Sequence, residues 1–287
     1  MKKLLFMLPI LGILYAENVK YQNEFFLSFV VQPGYYQSTF ENGAKTSSDI
    51  GFYNGIRIGY VWQNARIYFS GENGFLGQGK YTGQSVPLGG EAVYTYPRKG
   101  SIISDSTLQL KWGYNLFPML KNERDELFLD IGLGIKGNQD VMIPFPATRA
   151  MLTYSIGLEG RHFLGNSMAL LYGVEYWHSN VKDSGFVEVS DDSSYHFNPS
   201  KTSVDMTSDS AHYGIHVFVG SSWELGKYQL IFDVPIPVRF LTKLTFDRGY
   251  YAAMKAEEQV MISNQPVSFT LPSQKTTRVG VQLGLEF

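Results

Sequence analysis

A few short stretches of this chain carry side chains that could do more than fold. Gly132-Leu133-Gly134-Ile135-Lys136-Gly137 has the GxGxxG spacing that lets a backbone approach a pyrophosphate. That chemistry needs a strand before the glycines and a helix after them. Here Gly132 and Gly134 read as positions inside a strand and Asn138–Pro146 has no helical pattern, so no cofactor is expected. His212 and His216 share one face of a strand and would make a metal site if a third ligand joined them. A hydrogen-bonded histidine is the commoner case, and no metal is assigned. Trp177-His178-Ser179-Asn180 sets a histidine beside a serine, but strand neighbours point to opposite faces. Asp191, Asp192 and His196 fall in a Ser/Asp-rich connection, Ser179–Ser210, of a composition that is normally solvated. Asp247–Met261 is the one helix-like stretch: Ala252, Ala253, Met254, Ala256 and Glu257 are good helix formers and Asp247 can cap them, which predicts a short helix over the mouth of whatever fold carries it.

The elements that must position these residues follow from composition and period. Among 287 residues there are 29 glycines, aromatics make up 15% and charged residues 17%, a balance that suits a β-rich chain. With no cysteine there is no disulfide, thiol catalysis or Cys-ligated metal, and a net charge of -2 gives no footprint for nucleic acid. Lys2, Lys3 and the apolar run Leu4–Tyr15 read as a secretory signal cut near Ala16, which predicts a cleaved peptide over 1–16 and one domain over 17–287.

Period-two alternation recurs along that domain. Phe25, Leu27, Phe29 and Val31 alternate with smaller or polar neighbours, as do Leu129, Ile131, Leu133 and Ile135, and Tyr213, Ile215, Val217 and Val219. About ten such segments occur, the ninth read over Tyr228–Ile236. Their apolar faces are broad and their opposite faces carry Gly, Ser and charges of both signs, which suits lipid outside and a narrow lumen inside. Connections are short near Gln63–Asn64, Phe117–Asp125, Phe163–Ser167 and Leu225–Lys227. They are longer at Glu41–Asp49, Leu76–Ile103, Gly137–Thr148, Ser179–Ser210 and Thr245–Gln274. Aromatics cluster near both ends: Tyr60, Trp62, Tyr114, Phe163, Trp223 and Tyr228 by the short turns, and Tyr35, Phe75, Tyr176 and Trp177 by the long loops. The prediction is an all-β, transmembrane, antiparallel up-and-down barrel of about ten strands in the bacterial outer membrane. Its short turns and both termini would lie in the periplasm and its long loops outside.

The alternation aims Arg57, Arg66, Lys111, Lys136, Arg161, Arg239 and Arg278 inward, against Glu72, Asp130, Glu159, Glu175, Asp233 and Glu286, with His216 among them. Buried charges persist when paired, so these residues are expected to knit into a network that fills the lumen.

The last residues, RVGVQLGLEF, resemble the C-terminal signal of bacterial outer-membrane barrels, a strand with apolar residues at alternate positions and a terminal Phe; Val281, Leu283, Leu285 and Phe287 match it. The resemblance implies recognition by the barrel-assembly machinery. In size and strand number the chain is similar to omptin-type ten-stranded barrels and to small opacity-type barrels. Omptin-type proteases use paired acids and an Asp–His pair at the outer mouth; Asp191, Asp192 and His196 are of those residue types, but the family's catalytic motifs are not matched position by position. Outer-membrane lipid A deacylases carry a His and a Ser that share a face near a strand end, a spacing from which His178 and Ser179 depart. The leading expectation is a non-enzymatic barrel acting in surface interaction or envelope structure through its extracellular loops. The alternatives are a narrow channel for small solutes and a mouth-located hydrolase. Expected partners are outer-membrane lipid and lipopolysaccharide, the assembly machinery and an extracellular ligand.

Overall fold

Strand pairing in the computed structural model turns the alternation into a closed wall. Residues 24–40, 45–80, 99–120, 125–140, 147–164, 167–180, 184–188, 200–231, 234–262, 264–271 and 273–287 are described. In chain order the strands are β1 (Glu24–Phe40), β2 (Lys45–Trp62), β3 (Ala65–Lys80), β4 (Lys99–Asn115), β5 (Glu126–Asp140), β6 (Ala147–Phe163), β7 (Met168–Ser179), β8 (Ser184–Glu188), β9 (Ser203–Ser208), β10 (Tyr213–Ile231), β11 (Val234–Tyr251), β12 (Met254–Ala256), β13 (Val260–Ile262), β14 (Gln265–Val267), β15 (Thr270–Leu271) and β16 (Gln274–Glu286). Ten of them, β1 to β7 with β10, β11 and β16, pair antiparallel in order, and β16 returns to β1. At that seam Leu27 and Phe287 exchange backbone bonds of 3.0 and 2.8 Å, and the Phe287 ring meets Phe29 edge-on.

The register fixes the barrel's shape. A row of paired residues from Phe25 runs through Tyr60, Ile67, Trp112, Ile131, Ile156, Tyr176, Ile215, Arg248 and Thr277. It rejoins β1 at Gln37, twelve residues above its start. At about 3.3 Å per residue and about 4.8 Å between strands, that offset is a tilt of roughly 40°. The outward faces are apolar and exposed over the whole circuit: Ile131, Ile156, Val219 and Val281 are 47–52% exposed. At this tilt the exposed apolar rows span about 25 Å along the axis, the height of a lipid-facing band. The strands, 12 to 19 residues long, project beyond it.

Three features differ from the sequence reading. Asp247–Met261 is not a helix. β11 continues to Tyr251, and β12 and β13 follow, with Met254, Val260 and Ile262 buried and Lys255 and Met261 exposed. Pairing of β12 with β9 and β15 outweighs the modest helix preference of its Ala and Met residues. The turn read at Leu225–Lys227 is a bulge inside β10, where Gly226 takes a φ of 142°; the strand change comes later, between Ile231 and Val234. The described parts of the Ser179–Ser210 and Thr245–Gln274 connections also hold strands where solvated loops were expected. Above β7 the sheet continues from the top of β6 through β8, β9, β12 and β15, and the β13–β14 hairpin packs on it. Val204, Met206, Met254, Val260, Ile262, Phe269 and Leu271 form an apolar core of this cap.

Candidate functional site

The inward face of the ten strands is a charged column. Toward the short-turn end Glu286 accepts hydrogen bonds from Arg161 (2.8 Å) and Arg239 (3.3 Å), and Glu126 lies 3.9 Å from Arg161. In the middle Glu159 accepts from Arg57 (3.1 Å) and Arg66 (3.0 Å), with the Lys243 ammonium 3.8 Å away. Arg66 also donates through Nε to Asp130 (3.0 Å), and Lys111 pairs with Glu175. Toward the cap Asp247 accepts from Arg278 (2.8 Å) and contacts His216 Nδ1 (2.6 Å). Glu72 lies 3.7 Å from Arg278, and Lys136 lies 3.9 Å from Asp105. Aromatic faces separate these tiers: Arg66 lies over Phe128 (4.1 Å), Lys243 over Phe218 (4.1 Å) and Lys136 over Trp177 (4.5 Å).

Close approach inside so narrow a barrel requires glycine. A methyl on Gly113 would sit 2.1 Å from Asp130 Oδ1 and 2.9 Å from Arg66 Cγ, displacing the ion pair. Among the described residues the column leaves a cavity of about 60 Å³ beside Glu159, Arg161 and Glu286 and one of about 90 Å³ beside Tyr53, Lys136 and Asp247. Arg57, Ser70, Glu72 and His216 line both and stand between them. Each cavity has room for a few waters. At the upper end Met151, Trp177 and Tyr251 pack together. Trp177 is therefore an interior residue and not part of the outer aromatic ring, as its alternation with exposed Tyr176 requires.

Of the residues singled out from sequence, Arg57, Arg66, Glu72, Lys111, Asp130, Lys136, Glu159, Arg161, Glu175, His216, Arg239 and Arg278 line this column. Asp233, Asp191, Asp192 and His196 lie outside the described residues. Gly132 and Gly134 sit in β5. His178 is exposed and Ser179 buried, on opposite faces. Val281, Leu283 and Leu285 face outward on β16. The sequence reading missed Lys243 and Asp247 because β11 had been split between a strand and a loop, although both keep the period of Arg239. It also missed Asp105 and Glu126, which share the parity of Lys111 and Asp130.

His212 does not join His216 on a common site. It precedes β10, fully buried where the barrel bends into the cap. Its backbone bonds Ser179 at 2.8 and 2.9 Å, and its Nδ1 accepts from the Ala252 amide at 2.8 Å. Burial, and next the nearby Arg149 cation, push its pKa down to about 4, so the ring is neutral with its proton on Nε2. Among the described residues no group of three or more His, Cys, Asp or Glu is arranged to hold a metal.

A closed antiparallel barrel with an apolar belt outside and paired charges inside has the fold of outer-membrane β-barrels. No family model matches the chain, and no curated protein does. Among solved structures it is similar to the outer membrane protease OmpT from Escherichia coli, at 13% identity and a TM-score of 0.51, over 95% of this chain and 99% of that one. It also matches Neisserial surface protein A (10% identity, TM-score 0.32, 93% and 98% coverage) and the beta domain of the Bordetella autotransporter BrkA (11%, 0.36, 91% and 98%). At 13% identity, what the chain shares with OmpT is the fold.

Proposed function

We propose that this chain is an integral protein of the bacterial outer membrane whose working part is its cap. The barrel is a closed support, and the cap acts outside the cell in surface interaction or envelope structure. The observation that carries the reading is the cap's own apolar core from Val204 to Leu271. Unstructured loops would need no such core. Placing the cap outside puts the short turns and both termini in the periplasm. The proposal gives the chain no catalytic role, which cleavage assays on peptides and on lipid A test. An epitope tag at Asn264, in the β13–β14 turn where φ is 65°, should be stained on intact cells. A tag at Asn64, in the β2–β3 turn, should require permeabilisation. Staining at Asn64 alone on intact cells would overturn the topology and with it the role given to the cap.

A second reading, a narrow channel for small solutes, is favoured by the two polar cavities that meet at Arg57, Ser70, Glu72 and His216. It requires that layer to move.

A further inference from the structure

The charges of the barrel wall are sorted by face. Among the described side chains no carboxylate projects outward from the barrel strands, and Glu126, Asp130, Glu159, Glu175, Asp247 and Glu286 are all inside. Two basic side chains do project outward at the cap end of the apolar belt: Arg248 on β11 and Lys275 on β16, both exposed. The register sets them side by side. Arg248 stands opposite Thr277 and Lys275 opposite Tyr250, so they are diagonal neighbours on adjacent strands, about 7–8 Å apart. Around them the wall is polar or amphipathic. Thr277 faces Gln37 and Lys275 faces Thr39 on β1, and the Tyr250 ring lies 5.0 Å from that of Tyr213 on β10. Just below, Phe246 and Val279 open the apolar belt, each 40% exposed.

Two adjacent cations at the rim of a lipid-facing belt, flanked by hydroxyls and tyrosine rings, match a ligand with an acyl body below and a doubly charged phosphate head above. Long basic stems lie along apolar surface while their heads reach the headgroup plane. We propose that Arg248 and Lys275 form a binding site for the phosphates of an anionic lipid in the leaflet nearest the cap. A bisphosphorylated glycolipid fits two cations at this spacing better than a lipid with one phosphate. The proposal rests on the reading that the belt lies in a bilayer.

The test uses the folded full-length barrel, its folding checked by heat-modifiable migration, in phosphatidylcholine vesicles and in the same vesicles doped with bisphosphorylated lipid A. Retention of the lipid is read by native mass spectrometry after extraction. The wild type should retain the bisphosphorylated lipid. Arg248→Ala with Lys275→Ala should bind it about thirtyfold more weakly, the factor that ~1 kcal/mol per basic residue gives for two. Arg248→Lys should keep most of the affinity, and Lys227→Ala, exposed at the other end of β10, should keep all of it. Equal retention by the double variant overturns the proposal. So does equal binding of lipid A stripped of its phosphates, or displacement of the lipid by inorganic phosphate, which would mark a site for the free ion. Failure of every form to insert into phosphatidylcholine vesicles overturns the bilayer reading itself, and the site with it.

Discussion

Replacing Glu159 with alanine should cost more stability than removing any charge of the cap. Glu159 bridges three cations: Arg57 at 3.1 Å, Arg66 at 3.0 Å and Lys243 at 3.8 Å. Of these, Arg66 keeps Asp130, while Arg57 and Lys243 lose the carboxylate they contact. Breaking a fully buried pair by removing one partner costs about 3–5 kcal/mol, because the remaining charge is stranded. Here Glu159 is 21% exposed and Arg57 28%, and the cavity of about 60 Å³ beside them admits water, so the lower end applies. The expected loss is about 2–3 kcal/mol. Asp209→Ala removes a cap carboxylate that is 82% exposed and pairs with Lys255 at 3.6 Å. It should change stability by no more than about 0.5 kcal/mol. Equilibrium urea unfolding in lipid vesicles, read by tryptophan emission, measures both. Adding Lys243→Met to Glu159→Ala should recover part of the loss, since it removes one stranded charge. Equal midpoints for Glu159→Ala and Asp209→Ala, or no recovery in the double variant, would refute the reasoning.

Two further outcomes follow from single contacts. His212 has a folded pKa of about 4 against about 6.5 unfolded, so the unfolded state takes up its proton first and stability falls as pH drops from about 6.5 toward 4. The loss should reach about 3 kcal/mol at pH 4. His212→Asn, which retains an acceptor for the Ala252 amide, should flatten that part of the pH–stability curve, and a curve unchanged by the substitution would count against the assignment. Deleting Phe287 removes both backbone bonds to Leu27 and the ring against Phe29. The yield of heat-modifiable folded barrel should drop while export across the inner membrane continues, and normal folded levels would contradict the closing role given to this strand.

The parts of the fold that were legible in sequence are those where one physical rule acts alone. Lipid outside and a packed lumen inside impose strict alternation, so Leu129 to Ile135 and Val279 to Leu285 declare both their strands and their faces. β11 was obscured by local chemistry. Gly226 in a bulge imitates a turn, and the Ala- and Met-containing run after Tyr251 has helix-forming residues that tertiary pairing overrides. With β11 misplaced, Asp247 became a helix cap instead of the acceptor for Arg278 and His216, and Lys243 went unnoticed. The cap was invisible for a different reason. Its core joins Val204 and Met206 to Met254, Val260 and Leu271, residues from two connections distant in sequence, and no local period announces such a meeting. Which inward acid serves which cation was equally beyond reach, because pairs such as Arg57–Glu159 cross the lumen between strands that are not neighbours.

Single-channel recording on the purified protein in a planar bilayer tests the closed barrel most directly. With Glu159, Asp130, Glu175 and Asp247 all engaged by cations and Met151, Trp177 and Tyr251 packed above them, the account predicts no steady current and at most brief, small openings. A steady conductance whose ion selectivity changes in Glu159→Ala or Arg239→Ala, with stability left as in the wild type, would contradict it and make the lumen a water-filled pore.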